Sequence, residues 1–105
     1  MDESLIQLKA DILKALGHPT RLAIVEMLQT GERCVCEINE RFGADHSTIS
    51  KHLSVLKRAG VLSDRKQGLK VFYKLEVPCI LNFMNCLVSV IELRAKRQMA
   101  ALNSR

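Results

Sequence analysis

Residues 42–75 read FGADHSTISKHLSVLKRAGVLSDRKQGLKVFYKL, and this run leaves few options for the fold. A glycine turn opens it. A helical stretch over about 46–59 follows, with Ile49, Leu53, Leu56 and, more weakly, Val55 on one stripe. Ser47, Ser50, Lys51, Ser54 and Lys57 fall on the other side, and Gly60 ends the helix. Two short apolar-alternating runs around Gln67-Gly68 then read as a β-hairpin. Upstream, Ile38 and Phe42 mark the inward side of a short helix over about 37–42, which Gly43 stops. Two short helices joined by FGADH form a helix-turn-helix, whose second helix fits a DNA major groove. A hairpin directly behind it is the wing of a winged helix.

The flanking segments complete this frame. Leu5, Leu8, Ile12, Leu13 and Leu16 recur at helical spacing and place a first helix over about 3–16. GHP breaks it, and Pro19 suits the first turn of a second helix carrying Leu22, Ile24, Val25, Met27 and Leu28. QTGE (29–32) is a loop, and residues 33–35 are extended or a very short strand. Pro78 starts the last helix, to about 101, with Ile80, Leu81, Phe83, Met84, Leu87, Val88, Val90, Ile91 and Leu93 spread over a broad apolar arc. One face of that arc packs on the domain, and the excess suggests a second subunit. The expected fold is mainly α with a β-hairpin wing, a winged helix-turn-helix in the order α1-α2-β1-α3-α4-β2-β3-α5. It forms one domain over residues 1–105, with enough apolar content (48%) for a modest core.

Charge sits where the shape needs it. The net charge is +5, and between 46 and 70 the bases Lys51, Lys57, Arg58, Arg65, Lys66 and Lys70 face Asp64 alone. Ser47, Thr48, Ser50 and Lys51 offer short donors and a cation to phosphates and base edges, with Ser54 and Lys57 further along the same side. Arg65, Lys66 and Lys70 crowd the hairpin, within reach of backbone phosphate or a minor groove. A merely solvated basic face is the bland alternative, but turn, wing and charge agree on double-stranded DNA. No stretch reaches the ~18 uninterrupted apolar residues of a membrane span. MDESLIQLKADILKALG starts acidic and lacks a signal-peptide layout, so the expected location is the cytoplasm and the expected thiol state is reduced. An enzyme is not expected: there is no C-x-x-C, no nucleotide-binding glycine loop and no histidine near a thiol in sequence.

RCVCEIN (33–39) holds two of the four cysteines. Cys36 falls at the expected N-cap of the short helix, where an oxygen-bearing side chain is preferred and sulfur is a weak acceptor. In an extended lead-in, Cys34 and Cys36 point to one side, and a turn there draws both sulfurs onto one ion. The helix N-terminus favours thiolate, the form that binds metal or reacts. Two small buried hydrophobes, as single cysteines often are, are the bland alternative, and the pairing at a helix start favours the ligand reading over it. Cys79 and Cys86 lie two turns apart on the last helix, about 10 Å along its axis, too far for one ion within a straight helix. Cys79 follows Pro78 at a helix start; Cys86 has apolar neighbours and fits an interface better than a ligand set. His18 is most simply structural.

LGHPTRLAIVEML, CVCEI, STISKHLSVLKRAGVL and SDRKQGLKVFYKL together resemble the ArsR/SmtB family of metal-sensing winged-helix repressors, across about 10–90. The resemblance implies a homodimer through helices 1 and 5 on a palindromic operator, and repression that ends when an inducer binds. It carries Ser47, Thr48, Ser50, Lys51 and His52 over as the recognition-helix motif, His52 pointing partly inward. CVCE resembles the arsenite- and cadmium-type sensors, but Asn39 stands where the three-cysteine arsenic type has its third thiol, and no cysteine precedes Cys34. The expected ligands are therefore Cys34 and Cys36, joined by Cys79 or, less readily, Cys86 across subunits. The last helix lacks the aspartate and histidine pairs of the zinc and nickel types, so soft ions are favoured. The expected inducer is As(III) or Sb(III), with no resident cofactor. The alternative is Cd, Pb, Hg, or reactive sulfur and oxidants acting on the same thiols. Binding at Cys34 and Cys36 would strain helix 3 and, through it, the spacing of the two recognition helices.

Overall fold

The computed structural model describes residues 2–43 and 45–104. Among them the elements run α1 (Glu3–Leu16), α2 (Pro19–Met27), β1 (Arg33–Cys34), α3 (Val35–Phe42), α4 (His46–Arg58), β2 (Leu62–Gln67), β3 (Lys70–Leu75) and α5 (Cys79–Asn103). A 3₁₀ turn at Leu28–Thr30 follows α2. The order is the one expected, a winged helix-turn-helix. Ala44, in the GADH turn, lies outside the described residues.

Local chemistry sets the boundaries. Asp2 opens α1 by accepting the Ser4 N–H at 2.9 Å. His18 opens α2, its Nδ1 accepting the Thr20 N–H at 3.0 Å, with Pro19 in the first turn where a missing N–H costs nothing. Gly43 stops α3 at φ +60°, a left-handed conformation that frees the chain to turn toward α4.

Ile24, Val25, Ile38, Ile49, Leu53, Leu56 and Val61 are fully buried. They come from α2, α3, α4 and the approach to β2, so the core is the helix-turn-helix itself. Each such side chain contributes about 1.5–3 kcal/mol relative to exposure. Within this core the stripe expected for α4 is found, with Val55 half-buried.

The sheet is antiparallel in the order β1-β3-β2. β2 pairs β3 from Leu62↔Leu75 to Gln67↔Lys70, so the two-residue turn is Gly68-Leu69, one position beyond the expected Gln67-Gly68. Gly68 takes φ +63° while Leu69 stays negative, the combination a type II′ turn requires. β1 joins the far side of β3 through Arg33↔Tyr73 and Cys34↔Phe72.

α1 and α5 behave differently. Of the five apolar α1 positions only Leu16 is buried; Leu8 is 60% exposed. α5 commits Met84 to the core and Ile80 and Leu81 partly, then runs on with Val88, Val90, Ile91 and Leu93 exposed. The radius of gyration is 17.1 Å, against roughly 13 Å for a compact chain of this length. Two apolar helices that leave the core account for the difference.

Candidate functional site

The outer side of α4 carries Ser47, Thr48, Ser50, Lys51, Ser54 and Lys57, all exposed. Not all are free to act. Asp45 caps α4, accepting the Thr48 N–H at 2.8 Å and the Ser47 Oγ–H at 2.6 Å. The Ser47 hydroxyl, ahead of the Thr48 contacts, holds the Asp45 carboxyl below the usual carboxylate range. Lys57 pairs with Asp64 of β2 at 2.9 Å, and the hydrogen bond to that carboxylate raises its pKa. Ser50, Lys51 and Ser54 keep open side chains, while the Thr48 side chain shares the Asp45 carboxylate with Ser47. Arg58, counted among the bases but given no DNA contact from the sequence, joins Ser50, Lys51 and Ser54 along one surface groove. Its position one turn beyond Ser54 was the available signal.

His52 is turned away from this side. It is half-buried, its ring centroid 4.4 Å from that of His18, and its Nδ1 accepts from Arg21 Nη1 at 3.3 Å. Burial first, then His18 and Arg21, push its pKa below the ordinary 6.5. The structure uses His52 to dock α4 on α2.

In the wing, Lys66 and Lys70 flank the turn and are exposed, as is Leu69 at its tip. Arg65 is drawn back from the tip, contrary to the expectation of three crowded bases. Its Nε donates to the two Glu32 carboxylate oxygens at 3.0 and 3.1 Å, and its Nη1 to Gln67 Oε1 at 2.7 Å. The guanidinium also lies 4.6 Å above the Phe72 ring. The Arg65 hydrogen bond holds Glu32 below the usual carboxylate range.

At the thiol pair the register differs by two residues from expectation. Cys34, not Cys36, is the N-cap of α3, because β1 pairing ends at Cys34↔Phe72 and Val35 is already helical. Cys34 Sγ accepts the Cys36 N–H at 3.2 Å, and Glu37 Oε1 accepts the Cys34 N–H at 3.3 Å. This is a capping box with sulfur where oxygen usually stands. A disulfide joins Cys34 and Cys36, whose Cα atoms are 5.2 Å apart. That corrects the expectation of reduced thiols: the turn into the helix already holds the two sulfurs together. Cys34 is buried and Cys36 exposed. Cys79 and Cys86 are free and exposed. Among the described residues no three His, Cys, Asp or Glu side chains gather as a metal-ligand group, so neither α5 cysteine joins the pair within one chain.

The pair opens on a cavity of about 450 Å³ between α3, α4 and β3, also lined by Asn39, His46, Ser50 and Lys70. Asn39 is 8% exposed. Its Nδ2–H donates to His46 Nδ1 at 3.3 Å, while its Oδ1 has no partner. The sequence marked Asn39 only as a missing thiol. Val35, Ile38, Asn39 and Phe42 follow the i, i+3, i+4, i+7 pattern of an inward stripe, a signal that places Asn39 inside.

A recognition-type helix with open donors, a basic-tipped hairpin behind it and a short supporting helix before it define a winged-helix DNA-binding module. Comparison with known proteins agrees. The family described as "Bacterial regulatory protein, arsR family" matches residues 18–64. An uncharacterized HTH-type transcriptional regulator of Methanocaldococcus jannaschii is 46% identical over 65 residues, covering 61% of this chain and 73% of that one. The transcriptional repressor SdpR of Bacillus subtilis is 32% identical over 81 residues, covering 77% and 90% respectively. The solution structure of the homodimeric winged helix-turn-helix DNA-binding domain Mb0332 from Mycobacterium bovis superposes with TM-score 0.74 at 28% identity, covering 90% and 93%. The chain belongs to the ArsR family and is a DNA-binding transcriptional regulator, not an enzyme.

Proposed function

We propose that this protein is a homodimeric cytoplasmic repressor that leaves a palindromic operator when As(III) or Sb(III) binds Cys34 and Cys36 after a small thiol has reduced the bond between them. The observation that carries the reading is the position of the sulfur pair. It caps the helix that precedes α4, faces β3 in the sheet, and borders the cavity beneath α4. A ligand there touches the support of both DNA-facing elements at once. Thr48, Ser50, Lys51 and Ser54 read the major groove, helped by Arg58 and by Lys57 where Asp64 releases it; Lys66 and Lys70 hold phosphate. The exposed apolar sides of α1 and α5 form the subunit interface, as suits a chain whose relative Mb0332 is homodimeric. A coupling of about 2–4 kcal/mol empties the operator, near or slightly above the usual allosteric range.

The disulfide favours a second reading, in which oxidants or reactive sulfur act on the same two residues. Oxidation removes two electrons and two protons from the dithiol; two equivalents of a small thiol return them. Fluorescence anisotropy on a duplex from upstream of the gene separates the two. Release of reduced protein by arsenite, abolished by Cys34→Ser or Cys36→Ser, supports the metalloid reading. Release by peroxide or tetrasulfide, reversed by reductant and indifferent to arsenite, supports the redox reading instead.

A further inference from the structure

Resting on the redox reading above, the Cys34–Cys36 disulfide needs a thiol to reopen it, and the structure tells its two sulfurs apart. Cys34 is 4% exposed, whereas Cys36 lies open to solvent. Cys34 Sγ also accepts the Cys36 N–H at 3.2 Å, a contact that steadies negative charge on that sulfur. Access and leaving-group stability therefore both direct an incoming thiolate to Cys36. Both residues line the cavity of about 450 Å³ between α3, α4 and β3, a size that holds a small molecule. Its lining includes Lys70 and no carboxylate, and Lys70 makes no ion pair among the described residues. Glu37, next to Cys36, is already engaged by the Cys34 N–H and by Arg33 at 3.4 Å.

We propose that this cavity receives a small thiol carrying a carboxylate, which Lys70 holds while the thiol sulfur attacks Cys36. The thiolate lone pair forms a new S–S bond to Cys36 Sγ, the Cys34–Cys36 bond breaks, and its electron pair leaves on Cys34 Sγ. A second thiolate then attacks the small molecule's sulfur, releasing Cys36 thiolate and a small disulfide. Two thiols lose two electrons, the protein disulfide gains them, and the two thiol protons pass to Cys34 and Cys36. Ser50 and Lys70 line the same cavity and belong to the DNA-facing set. The cavity therefore admits the thiol while the protein is off its operator, the state from which the redox reading needs it to recover.

The test mixes the oxidised full-length chain at low salt with mercaptoethanesulfonate, an anion, or with mercaptoethanol, which is neutral. Samples quenched in N-ethylmaleimide and sequenced by tandem mass spectrometry should carry the sulfonate adduct on Cys36 and maleimide on Cys34. The reverse placement overturns the assignment. Per thiolate present, the anion should open the disulfide about fivefold faster, through attraction to Lys70. Roughly 0.5 M salt should remove that advantage. Lys70→Ala should abolish it without changing the rate with mercaptoethanol, and Lys70→Glu should reverse it. Lys9→Ala, which loses the same charge from the exposed side of α1, should keep it. Equal rates for the two thiols, or an advantage that survives Lys70→Ala, sinks the proposal. Oxidised protein that still holds its operator duplex refutes the redox reading instead, a result read by anisotropy and independent of these rates.

Discussion

Ile38 is the residue that anchors α3 in the core. α3 buries only Ile38 and Asn39, and Ile38 is 0% exposed in the core with Ile24, Ile49 and Leu53. Ile38→Ala removes three carbons, worth about 2.4 kcal/mol in transfer terms at ~0.8 each. The cavity left behind raises the cost to roughly 3–4 kcal/mol. Set against a total stability on the order of 5–15 kcal/mol, that is a large fraction. At fixed protein concentration the melting temperature should fall by roughly 12–32 °C, because each kcal/mol moves a domain of this size by about 4–8 °C. Ile38→Val, one methylene lost, should cost about 1 kcal/mol. Circular dichroism melts with urea unfolding measure both, and unchanged m-values show that the unfolded state is the same. An Ile38→Ala loss below about 1 kcal/mol would refute the argument. It would mean that pairing of β1 to β3, not the core, holds α3 in place.

Other outcomes follow from the site. Lys51→Ala should lower the slope of log affinity against log salt by about one, and Lys57→Ala by less, since Asp64 already engages Lys57. Glu32→Gln should tighten operator binding and steepen that slope, because it releases Arg65 from its carboxylate partner; unchanged binding in salt titrations would mean Arg65 never reaches DNA. His52 resists protonation in the fold, so the unfolded chain takes up the proton first. Its contribution to stability is full above 6.5 and declines as pH falls through the lower folded pKa, and His52→Gln should flatten that decline in urea midpoints measured against pH. Ile91→Glu on the exposed side of α5 should give a monomer by sedimentation and weaken operator binding, since dimers span two half-sites.

The helix-turn-helix was legible because Ile49, Leu53 and Leu56 repeat at helical spacing while the hairpin alternates, and both periods reflect burial on one side. The excess apolar surface of α5 was legible for the same reason, since Ile91 has no counterpart in the core, whereas the exposed apolar side of α1 was foreshadowed only by the family resemblance. What escaped was register and partnership. Cys34 became the cap because a strand pairing with Phe72, far away in sequence, fixed where extension ends. Arg65 looked free because its partner Glu32 lies 33 residues upstream. His52 was legible both as part of the recognition motif and as an inward, structural histidine; what the sequence did not give was its partners, Arg21 and His18 of α2 and its cap. Each miss is a contact across sequence distance, which local spacing does not encode.

The two-residue strand β1 reaches across the chain to Tyr73 and Phe72. Closing a loop of roughly 40 residues carries an entropic cost of about 3 kcal/mol, more than so short a ladder returns unaided. β1 therefore depends on α3, which it precedes directly, and on the β2–β3 hairpin to be held in the sheet. A chain cut before β3 lacks the strand partner that fixes where extension ends at Cys34. In the finished protein, whatever frays the wing also slackens the cap at Cys34.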